Sequence, residues 1–392
     1  MHAELGWGYG VKIMLVFGTR PEAIKLIPLL RVLRQQSGVL VRVCITSQHK
    51  EMLKPLLSLF EVVPDYDLDV MMPNQDLTDI TTRILLGLRA LFASELPDRV
   101  IVQGDTTTAF AAALAAFYHR IPVAHVEAGL RTYQRYAPFP EEVNRRLVTT
   151  LADMHFAPTE LARDNLMREG IPPQSVLVTG NTVIDSLRWM CDVLARDPEY
   201  VERIRTELGL RWDGQSTLIL VTGHRRENFG EGFVQMCRAI RCIATMRSDV
   251  HIVYPVHLNQ QVQTPVYSIL GDVPNVELIP PVSYPAFVYL MQQSYLILSD
   301  SGGVQEEAPF LKKPLLVMRE TTERPEALAV NAIRLVGTEE EQIIVNVFKL
   351  LNDPAQYETM THGGSPYGDG FAAERIAAQV LSVAHKELAD VS

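Results

Sequence analysis

The chain's 392 residues exceed what one ordinary hydrophobic core organises and suit two domains. With 47% apolar and 21% charged residues and no low-complexity tract, the whole length is expected to fold, which excludes a disordered or fibrous protein. A formal net charge of −10 opposes nucleic acid as a partner, and the longest apolar stretch, 109–117, is about half of what crosses a bilayer, so no membrane span is expected.

In chain order, the opening MHAELGWGYG has neither a basic start nor a sustained apolar run; it reads as an extension rather than a signal peptide, and a cytoplasmic location is expected. Strand candidates follow at 11–17, 39–45, 99–103, 122–126 and 176–178, with helical periodicity between them. Residues 182–210 read as helical throughout. A second series of strands is expected at 217–221, 250–254, 276–279, 295–298 and 315–318. Strands alternating with helices predict parallel sheets covered on both faces. The expected fold is therefore α/β, two Rossmann-like parallel-sheet domains facing a central cleft. The boundaries are placed at 11–184 for the first domain and 185–371 for the second. Four cysteines, Cys44, Cys191, Cys237 and Cys242, show no C-x-x-C pair and no nearby histidine cluster, so reduced thiols and no metal site are expected.

In open parallel sheets, ligands bind outside the carboxyl ends of the strands, so the residues just after each strand matter most. After the first strand comes GTRPEAIK, in which Thr19 and Glu22 have capping-box spacing. That local role does not account for Arg20 and Lys25, for which phosphate binding at a helix N-terminus and plain surface charge are both open. GDTTT follows the third predicted strand and places Asp105 there, with Asp105 or Thr106 as a possible helix cap. HVEAGLRT places Glu127 and Arg131 at the same edge, and PFPEEVNRR then carries Glu141 and Glu142 into a helix. Each carboxylate alone suits a structural role. Asp105, Glu127 and Glu141 together would put three at one sheet edge, which acid/base chemistry requires and solvation does not.

In the second half, GHRRENFG brings His224, Arg225 and Arg226 to the end of a buried strand, a setting suited to a diphosphate. SDSGGVQEEAP then opens a helix with Ser301, Gly302 and Gly303, whose backbone N–H groups can approach a phosphate, and Glu306 and Glu307 follow as candidates to accept ribose hydroxyls. Walker A spacing and G-x-G-x-x-G after the first strand are both absent, which disfavours a P-loop NTPase or a dinucleotide dehydrogenase; no cofactor is expected.

Taken in order, GTRPEAIK, QGDTTT, HVEAGLRT, PEEVNR, GNTVIDSL, VTGHRREN, YPVHLN, SDSGGVQEEAP, TTERPEA and PYGDG closely resemble the bacterial non-hydrolysing UDP-N-acetylglucosamine 2-epimerases, from about Lys12 to the C-terminal region. The resemblance implies a glycosyltransferase-B type fold, a homodimer, and a C-terminal helix at 372–392 that packs back on the first domain. It also implies reversible conversion of UDP-N-acetylglucosamine to UDP-N-acetylmannosamine, by elimination of UDP to 2-acetamidoglucal and re-addition, as a precursor supply for bacterial surface polysaccharide. By motif match, Asp105, Glu127, Glu141 and His224 are the implied catalytic residues. Arg20, Lys25, Asp105, Glu127, His224, Phe287, Ser301, Gly302, Gly303, Glu307 and Arg324 are the implied contacts to substrate and UDP. Gln48, His49, Gln75, Arg225 and His257 match segments that form an allosteric site in some relatives.

Three rival readings make different demands. A glycosyltransferase of the same fold usually needs one base rather than three carboxylates. A hydrolysing epimerase would release free N-acetylmannosamine, and a catalytically silent nucleotide-sugar sensor would bind without exchanging the proton on carbon 2.

Overall fold

A computed structural model describes residues 10–48 and 50–391, with the side chains of the last helix as far as Ala384. The chain divides into two compact units: the first closes at Ser186 and takes up the chain again at Tyr367, and the second spans Leu187–Pro366.

In the first unit, seven strands form one sheet: β1 (Val11–Phe17), β2 (Val39–Ile45), β3 (Tyr66–Asp67), β4 (Arg99–Gln103), β5 (Val123–Val126), β6 (Met154–Ala157) and β7 (Val176–Val178). Their order is β3-β2-β1-β4-β5-β6-β7, and every pairing is parallel. The second unit repeats the plan with β8 (Thr217–Thr222), β9 (Val250–Pro255), β10 (Val276–Ile279), β11 (Leu296–Ser299), β12 (Leu315–Val317) and β13 (Ile333–Leu335). Its order is β10-β9-β8-β11-β12-β13, again all parallel. The predicted parallel α/β class is thus observed in both units.

Near-continuous apolar strands such as VKIMLVF exist because both faces of each sheet are covered. In the first unit the alanine-rich helix Thr107–Tyr118 packs between the helices Leu77–Glu95 and Glu141–Leu151. Its buried Ala109, Ala111, Ala112, Ala113, Ala115 and Ala116 allow the close approach. The second core gathers Ile219, Val221, Phe233, Ile240, Ile252 and Leu298. Among the described residues no helix is long and apolar enough to cross a membrane.

Three strands escape the sequence reading for physical reasons. β3 is two residues long, β13 is a three-residue edge, and β6, MHFA, includes His155, whose ring is buried against the Thr149 carbonyl at 2.9 Å. Residues 182–210 are two helices, Thr182–Arg196 and Pro198–Leu208, and the division between units falls inside the first.

The final helix, Ala372–Val391, belongs to the first unit and packs against the helix Arg20–Arg34 and β1. Asp185 accepts the Ala373 N–H at 2.7 Å and the Ala372 N–H at 3.3 Å, capping the helix from a distant part of the sequence. Just before it, Gly180 and Gly368 lie so close that a Cβ on Gly180 would stand 3.2 Å from the Gly368 Cα. Both have positive φ, 88° and 119°, so only glycine suits this crossing.

In each sheet the strand order reverses beside the first strand, between β1 and β4 and between β8 and β11. Such switch points are where open α/β sheets bind ligands.

Candidate active site

At the first switch point, β1 ends at Phe17 and Gly18 leads to Thr19, the N-cap of the helix Arg20–Arg34. The predicted capping box forms: the Thr19 side chain accepts the Glu22 N–H, and Glu22 Oε2 accepts the Thr19 N–H at 2.8 Å and the Gly18 N–H at 3.1 Å. Glu22 does more than cap. Its other oxygen accepts the Thr106 hydroxyl at 2.7 Å, tying this helix to the turn after β4. Burial pushes the fully enclosed Glu22 carboxyl up to about 7, against the pull of hydrogen bonds from Thr106, Thr19 and Gly18.

That turn carries Asp105. Thr106 serves as the helix cap, accepting the Ala109 N–H at 3.0 Å, which leaves the Asp105 carboxylate to pair with Arg145. Gly104 takes a left-handed φ of 68°, and its carbonyl accepts a hydrogen bond at 2.8 Å from Nε2 of buried His125. Burial holds the His125 imidazole down to about 3, so the ring is neutral and its proton sits on Nε2, facing the carbonyl.

Two residues after His125, Glu127 follows the end of β5, the strand paired beside β4 in the register Gln103↔Val126. The Glu127 backbone is left-handed at φ 63°, a conformation that costs a non-glycine residue roughly 1 kcal/mol or more and so signals a demand on its placement. Its carboxylate is buried between the Lys25 ammonium and the Gln103 amide, both of which donate to Oε2. Glu141 is the first residue of the helix Glu141–Leu151, part-exposed, and among the described residues its side chain has no recorded partner. Its neighbour Glu142 is buried and accepts the Thr132 and Tyr133 N–H groups at 3.0 Å each, holding the loop that enters the helix.

The second switch point is built around Asp300, fully buried just after β11. Its carboxylate accepts the backbone N–H of His224 at 3.0 and 3.1 Å and of Arg225 at 2.9 Å, and the Asn228 amide at 3.2 Å. This fixes the segment after β8. The His224 ring stacks on that of His257, which follows β9, with centroids 5.7 Å apart and planes at 24°.

Next to Asp300, Ser301 is the N-cap of the helix Gly302–Phe310 but makes no side-chain cap bond. Two guanidinium groups and one carboxylate crowd this end of the helix: a Cβ on Gly302 would stand 3.1 Å from Arg225 Nη2, 3.1 Å from Glu323 Oε1 and 3.3 Å from Arg324 Cζ. The helix dipole and the two guanidinium groups favour an anion here, with Glu323 offsetting part of that charge. Arg225, Arg319 and Arg324 share Glu323, at 3.3, 2.8 and 2.7 Å. Burial raises the Glu323 carboxyl, but Arg324, Arg319 and Arg225 outweigh it and bring it down to about 2.

The anticipated residues thus fall into two groups, one per unit. Arg20, Lys25, Asp105, Glu127 and Glu141 lie at the end of the first sheet; His224, Arg225, His257, Ser301, Gly302, Gly303 and Arg324 lie at the end of the second. Phe287 sits part-exposed in the helix Tyr284–Gln293, and Glu307 is buried in the helix Gly302–Phe310. Gln48 accepts the Thr108 hydroxyl at 3.1 Å and Gln75 donates to the Val70 carbonyl at 2.9 Å, while His49 lies outside the described residues.

One expectation changes: the buried Arg131 guanidinium forks onto Glu169 at 2.9 and 2.7 Å, a structural pair. Of the two carboxylates offered for ribose, Glu306 meets Arg324 through Oε1 at 2.9 Å, and Glu307 is buried one position on. The sequence reading also misses Asp300, Arg319, Glu323 and Gln103. An aspartate closing a buried strand, SD before SGG, is the one local signal that marks Asp300.

Comparisons with known proteins identify relatives over nearly the whole chain. A sequence model of one family, described as UDP-N-acetylglucosamine 2-epimerase, matches residues 31–381. The UDP-N-acetylglucosamine 2-epimerase of Escherichia coli O157:H7 is 54% identical over 370 residues, 93% of this chain and 97% of that protein. A crystal structure of UDP-GlcNAc 2-epimerase from Neisseria meningitidis bound to UDP-GlcNAc is 49% identical with a TM-score of 0.89, covering 95% of this chain and 100% of that one. A co-structure of S. aureus MnaA with UDP is 42% identical with a TM-score of 0.84, covering 94% of this chain and 96% of that one.

Proposed function

The chain belongs to the UDP-N-acetylglucosamine 2-epimerase family, and from that premise we propose that it interconverts UDP-N-acetylglucosamine and UDP-N-acetylmannosamine without hydrolysis and without a cofactor, by eliminating UDP and adding it back. In the forward elimination a base takes the proton from carbon 2, the carbon–oxygen bond at carbon 1 breaks with its electron pair leaving on UDP, and a double bond forms between the two carbons. A proton then reaches the opposite face of carbon 2 as UDP re-adds.

Carbon 2 has no adjacent carbonyl to acidify its proton, so departure of the diphosphate must supply much of the driving force, and fixed cations should stabilise the charge it gathers. Arg225, Arg324 and the open helix start at Ser301, Gly302 and Gly303 supply that electrostatics, with His224, Phe287 and Glu307 as further contacts to UDP, and Arg20 and Lys25 as the cations of the first unit. Inversion needs proton-transfer groups for two faces of one carbon, the role given to Asp105, Glu127 and Glu141. The observation that carries the reading is the placement of Asp105 and Glu127 after the neighbouring strands β4 and β5, beside a switch point, each carboxylate ion-paired. A cytoplasmic homodimer supplying precursor for surface polysaccharide fits this role.

Proton NMR of UDP-N-acetylglucosamine with the enzyme in deuterium oxide tests the reading. UDP-N-acetylmannosamine with deuterium at carbon 2 is expected. Free N-acetylmannosamine would identify the hydrolysing reaction instead, and an unchanged spectrum would sink the epimerase.

A further inference from the structure

The helix Glu141–Leu151 begins EEVNR, and residues one, four and five of that run lie on one face because side chains three and four apart are neighbours on a helix. Glu141, Asn144 and Arg145 occupy those places. Asn144 and Arg145 are each only 8% exposed, and both are spent on one residue 39 and 40 positions earlier in the chain. Asn144 Nδ2 donates to the Asp105 main-chain carbonyl at 3.0 Å, and Arg145 Nη2 pairs with the Asp105 carboxylate. From the other side His125 holds the Gly104 carbonyl and Glu22 holds the Thr106 hydroxyl. The second Arg145 nitrogen, Nη1, stands 3.6 Å from Glu142, whose carboxylate organises the loop that leads into the helix.

We propose that Arg145 and Asn144 are positioning residues that fasten Asp105 to the helix bearing Glu141, so that two proton-transfer groups move and are placed as one piece. The proposal rests on the epimerase reading above. Ordinary helix anchoring does not demand this pattern, since a single apolar contact at either position would hold the helix to the sheet. Arginine serves here because its planar fork reaches the carboxylate and Glu142 at once, which a single ammonium does not reproduce. Displacing a reacting group by about 1 Å can cost on the order of 10²-fold in rate, so loss of this tether should appear in turnover rather than in substrate affinity.

The test is a double-mutant cycle read as UDP-N-acetylmannosamine formation, with enzyme in excess over hours so that rates about 10⁵-fold below wild type are still measured. Arg145→Ala is expected to lower kcat by about 10- to 100-fold with KM within about threefold, Arg145→Lys to recover part of the loss, and Arg145→Ala to have no further effect in an Asp105→Asn background. If Arg145→Ala does not fold, the same cycle is run with Asn144→Leu, which keeps the volume and removes the donor. Losses that multiply in the double variant, or wild-type turnover in both Arg145→Ala and Asn144→Leu, overturn the proposal. A wild-type enzyme that makes no UDP-N-acetylmannosamine would instead sink the epimerase reading, before any variant is compared.

Discussion

Lys25 and Glu127, 102 residues apart in the chain, meet as an ion pair whose side chains are only 13% and 5% exposed. Such a pair is weak support for stability while intact, because both charges have lost their water, but breaking it strands one of them. Lys25→Met is therefore expected to destabilise the first unit by about 3–5 kcal/mol. The Lys25→Met/Glu127→Gln double variant should be less destabilised than the two losses added together. Urea unfolding of the four proteins measures the coupling, and simple additivity would show that the two charges do not depend on one another.

The three carboxylates give a separate expectation. Asp105→Asn, Glu127→Gln and Glu141→Gln should each lower turnover by about 10²-fold or more, the usual scale for losing acid/base catalysis, while UDP affinity by calorimetry stays within a few-fold. Near-normal turnover in all three would remove them from the chemistry.

Glu22 makes stability depend on pH with a definite sign. Below about pH 4.5 its carboxyl is protonated in the folded and unfolded chains alike. Between there and about 7 only the unfolded chain gives up the proton, so the folded state loses up to roughly 3 kcal/mol as pH rises through that window. Glu22→Gln lacks this dependence, and its stability relative to wild type should climb from pH 4.5 to 7.5 in denaturant titrations. Parallel curves for the two proteins would contradict the buried, late-titrating carboxyl.

Asp300 is the hub of the second switch point. Asp300→Ala leaves the His224 and Arg225 N–H groups and the Asn228 amide without their acceptor, at about 1–3 kcal/mol for each donor that stays buried. We expect UDP affinity to fall by about tenfold or more as the His224–Arg225 segment loosens, with the first unit's stability unaffected. Unchanged calorimetric affinity would mean that this segment does not bear on UDP.

What the sequence reveals and conceals follows the range of each interaction. The Thr19/Glu22 capping box is legible because its rule spans three residues, and strands such as 11–17 and 39–45 are legible because burial on both faces leaves a continuous apolar run. The second duty of Glu22 depends on Thr106, 84 residues away, and no local pattern announces it. Asp300 gathers donors from 72 to 76 residues earlier, and Glu323 takes its charge environment from three arginines brought together by the sheet. Arg131 errs in the opposite direction: proximity in sequence to Glu127 suggests a shared site, but the turn after β5 sends its side chain to Glu169.

The return of the final helix to the first unit gives the chain a fixed order of completion during synthesis. The second unit, Leu187–Pro366, is an uninterrupted stretch that can finish folding as soon as it has left the ribosome. The first unit is made earlier yet must wait: until Tyr367 and the residues beyond emerge, Asp185 has no helix end to cap and the Gly180 crossing has no partner strand of chain. The part that carries Asp105, Glu127 and Glu141 is thus begun before the second unit and completed after it, so a nascent chain released just after Pro366 has the whole second unit and an unfinished first one.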